Sequence, residues 1–380
     1  PPRSTLFPYT TLFRSARVRT AIRFGPLGGP GGLAEDLDTT KAFVLADEYT
    51  ARFIPPELAA GPRRVLPRGE GAKTWAEAGE AYEAFAETGV GRDWTVVAVG
   101  GGCVCDLAGF VAATWMRGVG LRVAPTTLLA MADAALGGKN GINLAGRKNL
   151  VGSFLEPELM QVDVSSLASL SDGELASGLV ECVKHAVIDG EDHLSLLEGA
   201  LGSGFRPSAL AASPSIEAIV RASMAVKSRI VEADPKEAGP RMALNLGHTI
   251  GHAAEAATGL SHGASVAAGL ACALRLAAEL APPAYRPGLA DLDGRVSSLL
   301  RSIGMPGGLS ELREAAARAS GVAGPLSDEG AFREAVAGAL ASDKKKRGGD
   351  ILFALPFALG DVRITSIDLD KIAAFIRSCP

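Results

Sequence analysis

The sequence predicts an α/β chain: an N-terminal Rossmann-like parallel-sheet domain followed by a mostly α-helical C-terminal domain. Three observations predict it. From Lys41 to about Val162, short apolar runs alternate with helix-like stretches, and such alternation marks a parallel sheet flanked by helices. The run Trp94-Thr95-Val96-Val97-Ala98-Val99 ends in Gly100-Gly101-Gly102, which puts consecutive glycines at the carboxyl end of a strand. After about Leu167 the texture turns alanine-rich and amphipathic as far as Ala341. At 380 residues the chain exceeds one ordinary core, so two domains are expected, 16–165 and 166–380.

The elements follow in order. Residues Pro1–Ser15 (PPRSTLFPYTTLFRS) contain a near-duplication, Ser4-Thr5-Leu6-Phe7 and Thr11-Leu12-Phe13-Arg14. They look like translated sequencing-adapter sequence and lack the basic start and cleavage site of a secretion signal. Residues 1–15 are therefore expected to be artefact or disorder. Ala42–Ala46, Arg64–Pro67, Val96–Val99, Leu121–Ala124 and Leu159–Val162 read as strands, with Thr74–Thr88 and Leu107–Trp115 as helices between them. In the second half, turns fall at Gly202–Pro207, Pro282-Pro283 and Gly304–Gly308. Ala264–Ala281 is interrupted by Arg275 and Glu279, so it reads as a buried helix and no membrane partner is expected. Ile351–Leu355 and Val362–Thr365, separated by Gly360-Asp361, predict a β-hairpin.

Composition narrows the function classes. Apolar residues make up 47% and charged residues 21%, with a net charge of −4; this is globular composition. Lys344-Lys345-Lys346-Arg347 is the one basic block, so a nucleic-acid partner is not expected. Five cysteines in no regular framework point to reduced thiols and a cytoplasmic setting. Cys103 and Cys105 are read as small core residues.

Glycines after a strand let backbone approach a phosphate that a Cβ would hold off, and α/β proteins bind nucleotides at such turns. The pattern is not a full dinucleotide fingerprint, and a plain tight turn is the bland alternative. Three of the five histidines, His248, His252 and His262, lie within fifteen residues. His248 and His252 are four apart on one helix face, so spacing alone nominates them as a metal pair. Glu181 and Lys184 share a face of the otherwise apolar stretch Gly178–Lys184. They imply either a site or buried partners, or a surface ion pair. Arg117, Lys139, Lys148 and Asn149 stand beside glycines or in loops, and Lys227, Arg241 and Lys345 add cations later. A small anionic substrate would explain that concentration; Arg147, Lys346 and Arg347 read as solvated charge.

Together these residues resemble the 3-dehydroquinate synthases of the sugar phosphate cyclase superfamily, from about Phe43 to about Asp361. The densest stretches are Gly100–Lys184, with TWMRG, PTTLLAMAD, GGK, GRKN and ECVK, and Asp234–Gly263, with LNLGHTIGHAAE and SHG. The resemblance implies a dehydroquinate synthase-like fold, NAD in the first domain and a zinc ion, replaceable by cobalt, in the second. Zinc ligands would be Glu181, His248 and His262, with His252 in the substrate site. NAD contacts would be Asp47, Glu70, Lys73, Gly101, Gly102, Asp106, Thr126 and Thr127. Catalytic roles would fall to Asp133, Lys139, Lys184, His252 and Glu237. Arg117, Lys148, Asn149, Lys227, Arg241, Asn245 and Lys345 would bind the sugar phosphate. Arg117 would reach a neighbouring subunit's phosphate, implying a homodimer. The implied reaction closes a seven-carbon keto-acid sugar phosphate into a carbocycle by transient oxidation, phosphate elimination, re-reduction and intramolecular aldol closure. Four positions depart from the family pattern. Cys105 replaces a glycine in the cofactor turn, where its side chain would crowd the dinucleotide. Tyr49 replaces a polar residue, Ala264 a glutamate and Ser171 a proline. Two rivals share the fold: a cyclase acting on a sugar phosphate without the carboxylate, and a metal-dependent alcohol dehydrogenase without the phosphate-grasping GGK and GRKN.

Overall fold

The computed structural model describes residues 10–14, 19–202, 206–235, 237–320, 328–344 and 350–379. It divides into two compact units, Pro1–Glu174 and Leu175–Pro380.

The first unit contains β1 (Thr10–Arg14), β2 (Arg19–Phe24), β3 (Ala42–Asp47), α1 (Pro56–Ala59), β4 (Arg63–Leu66), α2 (Trp75–Thr88), β5 (Thr95–Gly100), α3 (Gly102–Thr114), β6 (Gly120–Pro125), β7 (Lys139–Leu144), β8 (Arg147–Phe154) and β9 (Leu159–Val162). Seven strands form one sheet in the order β1-β2-β9-β6-β5-β3-β4. β1 is antiparallel to β2, and the other pairings are parallel. All of β3 is buried, as are Val96–Gly100 of β5; strands covered on both faces read as unbroken apolar runs. Phe43 lies opposite Val96, and Val96 opposite Leu121. After β3 the chain moves outward to β4, and after β5 it moves the other way to β6. The strand order therefore reverses between β3 and β5, the switch point at whose carboxyl ends open α/β sheets bind ligands.

Three features of this unit differ from expectation. Thr10–Arg14, set aside with residues 1–15, pairs with Arg19–Arg23 as an edge strand. Lys139, Lys148 and Asn149, read as standing beside glycines or in loops, belong to the strands of the β7–β8 hairpin. Its two-residue turn, Ala145-Gly146, has φ of 50° and 72°, the left-handed pair that a tight hairpin needs. The unit ends at Glu174 rather than 165, because the chain beyond β9 is still tied down. The Tyr49 hydroxyl donates to the Ser169 carbonyl at 2.6 Å. Ser171 and Glu174 then cap the next helix reciprocally, at 3.0 Å and 3.3 Å.

The second unit is mostly helical: α4 (Asp172–Asp189), α5 (Glu191–Ala200), α6 (Pro207–Ala211), α7 (Ser215–Ala233), α8 (His248–Thr258), α9 (His262–Leu280), α10 (Arg286–Ser302), α11 (Leu309–Ser320), α12 (Glu329–Lys344) and α13 (Leu369–Ser378). The expected hairpin is β10 (Asp350–Ala358) with β11 (Asp361–Asp368). α9 is long and apolar enough to cross a membrane by composition, yet it is enclosed by α8, α10, α11 and β10 as the core helix of this unit. Its approach to α8 depends on one missing side chain. A Cβ on Gly269 would stand 2.1 Å from the Gly247 carbonyl oxygen and 2.7 Å from the Gly251 nitrogen. That closeness holds His248, at the start of α8, beside His262, at the start of α9.

Candidate active site

A nucleotide-type site lies in the first unit. Gly100 ends β5, and Gly101 is the N-cap of α3 with no side chain to occupy the helix start. The first N–H groups of α3 therefore lack intrahelical acceptors and point outward, the arrangement that receives phosphate. A Cβ on Gly101 would come 3.0 Å from Thr127 Cγ2, and one on Gly102 3.3 Å from Ala134, so both positions favour glycine. Thr126 is 2% exposed, and its Oγ1 has no hydrogen-bond partner among the described residues. A buried hydroxyl left this way fits a ligand-facing position. Thr127 Oγ1 accepts from the Ala130 N–H at 3.2 Å. Asp47, at the carboxyl end of β3, accepts the N–H groups of Tyr49 (2.9 Å) and Thr50 (2.7 Å). Cys105, expected to crowd this turn, is buried at 3% exposure and its thiol donates to the Gly100 carbonyl at 3.6 Å. It faces the core because it falls on the sheet side of α3, which corrects the crowding inference. Cys103 is half-buried.

Beside the turn, Lys73 is 4% exposed, and its ammonium donates to Asp106 at 2.6 Å and to the Asn149 side-chain oxygen. Asn149 has φ of 52°, which turns its side chain to this lysine. Asn143, which the sequence reading missed, ties the group together. Its Nδ2 donates to Glu70 at 2.6 Å, its Oδ1 accepts the Asn149 N–H at 3.0 Å, and its own N–H donates to the Lys73 carbonyl at 2.7 Å. An uncharged asparagine carries no sequence signal by itself; recognising the hairpin would have shown it. Lys139 and Lys148 are exposed on the hairpin, and Asp133 is half-buried in the π-helical segment Ala130–Ala134. Arg117 is exposed at φ 71°, directly after Met116 at 47°.

A metal-type site lies in the second unit. Glu181 and Lys184, on α4, are both buried (0% and 1% exposed). The Glu181 oxygens are divided between two kinds of neighbour. Oε2 takes the Lys184 ammonium at 2.6 Å, while Oε1 faces His248 Nε2 at 3.5 Å and His262 Nε2 at 3.4 Å. One donor atom from each of Glu181, His248 and His262 lies within 4.8 Å of the other two. A carboxylate and two imidazoles form a donor set of the kind catalytic zinc uses. The Nδ1 atoms face the protein: His248 Nδ1 meets the Leu246 carbonyl at 3.2 Å, and His262 Nδ1 meets Glu255 Oε2 at 3.2 Å. Burial pushes His248 down to about 3. Burial also pulls on His262, but the carboxylates of Glu181 and Glu255 outweigh it and lift the group to about 9.

The pair nominated by spacing alone, His248 and His252, does not share a group of converging donor atoms among the described residues; His248 falls with Glu181 and His262. His252 is exposed and falls with Glu255 and His262 in a second cluster. Four-residue spacing shares a face but does not aim the rings, and here the His248 and His252 planes stand at 89°. Nearby, Asp234 accepts the N–H groups of Ala238 (2.9 Å), Gly239 (2.7 Å) and Arg241 (3.1 Å); these bonds, Ala238 first, hold it below the usual carboxylate range. The loop so ordered carries Glu237 at φ 58°, which accepts from Asn245 at 2.9 Å. It also carries Arg241, 3% exposed and donating to the Pro235 carbonyl at 2.9 Å. Lys227 is buried on α7. Lys345 lies outside the described residues.

A switch-point glycine turn in one unit and, in the other, a buried carboxylate with two half-buried imidazoles define a class, that of α/β-plus-helical enzymes with a dinucleotide-type and a metal-type site. The sequence models of the 3-dehydroquinate synthase N-terminal and C-terminal regions match residues 63–177 and 178–315. A 3-dehydroquinate synthase of Caldanaerobacter subterraneus subsp. tengcongensis is 37% identical over 89% of this chain and 90% of that protein. Another, from Symbiobacterium thermophilum, is 46% identical over 52% of this chain, a match spanning 54% of that protein. A solved 2-deoxy-scyllo-inosose synthase, complexed with carbaglucose-6-phosphate, NAD+ and Co2+, has a TM-score of 0.75 at 24% identity. It covers 97% of this chain and 99% of its own, and it shares the fold. The chain belongs to the 3-dehydroquinate synthase family of enzymes.

Proposed function

We propose that this chain converts 3-deoxy-D-arabino-heptulosonate 7-phosphate to 3-dehydroquinate and phosphate. The observation that carries the reading is the convergence of Glu181 Oε1 with the Nε2 atoms of His248 and His262. Glu181, His248 and His262 would hold a divalent ion, zinc or cobalt. Gly101, Gly102, Thr126, Thr127 and Asp47 would receive NAD, aided by Glu70, Lys73 and Asp106. When bound, NAD supplies a reversible hydride acceptor and the ion acidifies an alcohol. The chain's own residues do the rest. Lys184, anchored on Glu181 at 2.6 Å, presents a fixed charge beside the ion site. Lys227, Arg241 and Asn245 form an anion-binding group in the helical unit, and Arg241 is held by Pro235 and its buried setting. Lys139, Lys148 and Asn149 supply phosphate contacts from the hairpin, with Arg117 serving a neighbouring subunit in a homodimer. Lys345 completes the cations. Asp133, Glu237 and the exposed His252 are the groups assigned to proton movement. Fixing a multiply charged substrate in one pose supplies much of the acceleration.

The test mixes purified protein, NAD and zinc with the heptulosonate phosphate. Stoichiometric phosphate release with no lasting NADH absorbance is expected. Lasting NADH without phosphate would indicate a dehydrogenase instead. Phosphate release only from a sugar phosphate lacking the carboxylate would indicate the rival cyclase.

A further inference from the structure

The two histidines of the cluster are aimed by different means. In both, Nδ1 is held by a protein acceptor and Nε2 faces Glu181 Oε1. For His248 the holder is a neutral backbone carbonyl, Leu246 O at 3.2 Å. For His262 it is a carboxylate, Glu255 Oε2, also at 3.2 Å. We infer that Glu255 is a positioning residue for the metal site: it keeps the proton of His262 on Nδ1 and presents Nε2 to the ion. The inference rests on the proposed metal reading and adds a residue to it.

The geometry separates this role from that of a ligand. An imidazole cannot offer both nitrogens to one ion, and Glu255 stands on the Nδ1 side while Glu181 and His248 stand on the Nε2 side. Glu255 comes from α8, three residues after His252, and His262 is the first residue of α9. The contact therefore spans the Thr258-Gly259 turn, where Gly259 has φ of 67°. The Glu255 side chain is 14% exposed and that of His262 29%, so bulk water competes weakly for the bond. A carboxylate behind a ligating imidazole fixes the ring's orientation and raises its basicity, and losing such a partner weakens metal binding about 10–100-fold.

The experiment compares the full-length protein with its Glu255→Gln and Glu255→Ala forms. Zinc dissociation constants come from chelator competition at fixed pH, and 15N–1H correlation of the zinc-loaded protein reports the His262 Nδ1–H. Glutamine keeps an acceptor but no charge. Alanine keeps neither. The expected order of affinity is parent, then Glu255→Gln, then Glu255→Ala, with the last about 10–100-fold weaker and its Nδ1–H signal lost to exchange. Unfolding of the metal-free forms at the same denaturant concentration would show that the fold is intact. Parent-like zinc affinity and an unchanged Nδ1–H signal in Glu255→Ala would overturn the inference. So would zinc retention in Glu181→Ala together with its loss in Glu255→Ala, because Glu255 would then be a ligand. Should His248→Ala also keep its zinc, the metal reading itself fails, a result separable from failure of Glu255 alone.

Discussion

At the scale of single residues, His193 shows how burial rather than residue type decides a role. Its Nδ1 lies 3.4 Å from Asp189 and its Nε2 3.5 Å from Ser223 Oγ. The order serine, histidine, aspartate resembles a nucleophilic triad, but Ser223 is 0% exposed, so no substrate reaches it. The group instead links α4, α5 and α7. Burial lowers the His193 pKa from its ordinary 6.5, although Asp189 opposes the shift. A histidine depressed in the folded state binds fewer protons folded than unfolded below that value. Its stability contribution is full above about pH 6.5 and falls as pH drops toward the folded pKa. Urea midpoints of the parent should fall more steeply between about pH 6.5 and pH 5 than those of His193→Gln. Parallel curves would show that His193 contributes no such linkage. Residue chemistry of this kind was only half legible. The resemblance placed Glu181, His248 and His262 together, but nothing in the sequence showed Glu181 dividing its two oxygens or Glu255 standing behind His262. Those facts depend on which way each ring turns within its helix.

At the scale of elements, β3, β5 and β9 were legible because they are buried and read as apolar runs, and β4 and β6 were read beside them, whereas β1 and β2 were not read as strands. The β7–β8 hairpin was not legible either. Its strands carry Lys139, Asn140, Gly141, Arg147, Lys148 and Asn149, with no clean alternation, and it is positioned by α3 rather than by its own pattern. A Cβ on Gly109 of α3 would stand 1.9 Å from Asn140 Oδ1, a constraint visible only once the two are packed. The α8–α9 pair yields a sharper prediction. Gly269→Ala drives a methyl into the backbone of the Gly247 turn. It should destabilise by about 1–3 kcal/mol or more, as overpacking does, and should weaken zinc binding because α8 carries His248. Gly294→Ala on α10 is the control. Its new Cβ meets nothing within 4 Å, so improved helix propensity should stabilise by about 0.5–1 kcal/mol. Denaturant unfolding of both variants checks the pair, and equal effects would mean that local propensity, not the helix approach, governs glycine here.

At the scale of the whole molecule, two domains were legible from length and from the change in texture, but not the point where they part. The expected 165 fell at the end of the last strand, where apolar pattern stops. The unit continues to Glu174 because Tyr49 and the Ser171–Glu174 cap hold the intervening chain, and polar ties leave no periodic trace. The proposed division of labour follows from this plan: dinucleotide binding belongs to the first unit and metal binding to the second. His248→Ala removes one of the two Nε2 atoms facing Glu181, so zinc content and phosphate release should both vanish while NAD affinity stays near that of the parent. Gly101→Ala does the reverse. Its Cβ crowds Thr127 at 3.0 Å and shields the start of α3. NAD affinity should fall by at least about tenfold, equivalent to about 1.4 kcal/mol, with zinc content unchanged. Metal analysis and NAD titration on the same preparations distinguish the cases. If His248→Ala lost NAD binding along with its zinc, the two sites would not be independent, and the assignment of one function to each unit would have to be abandoned.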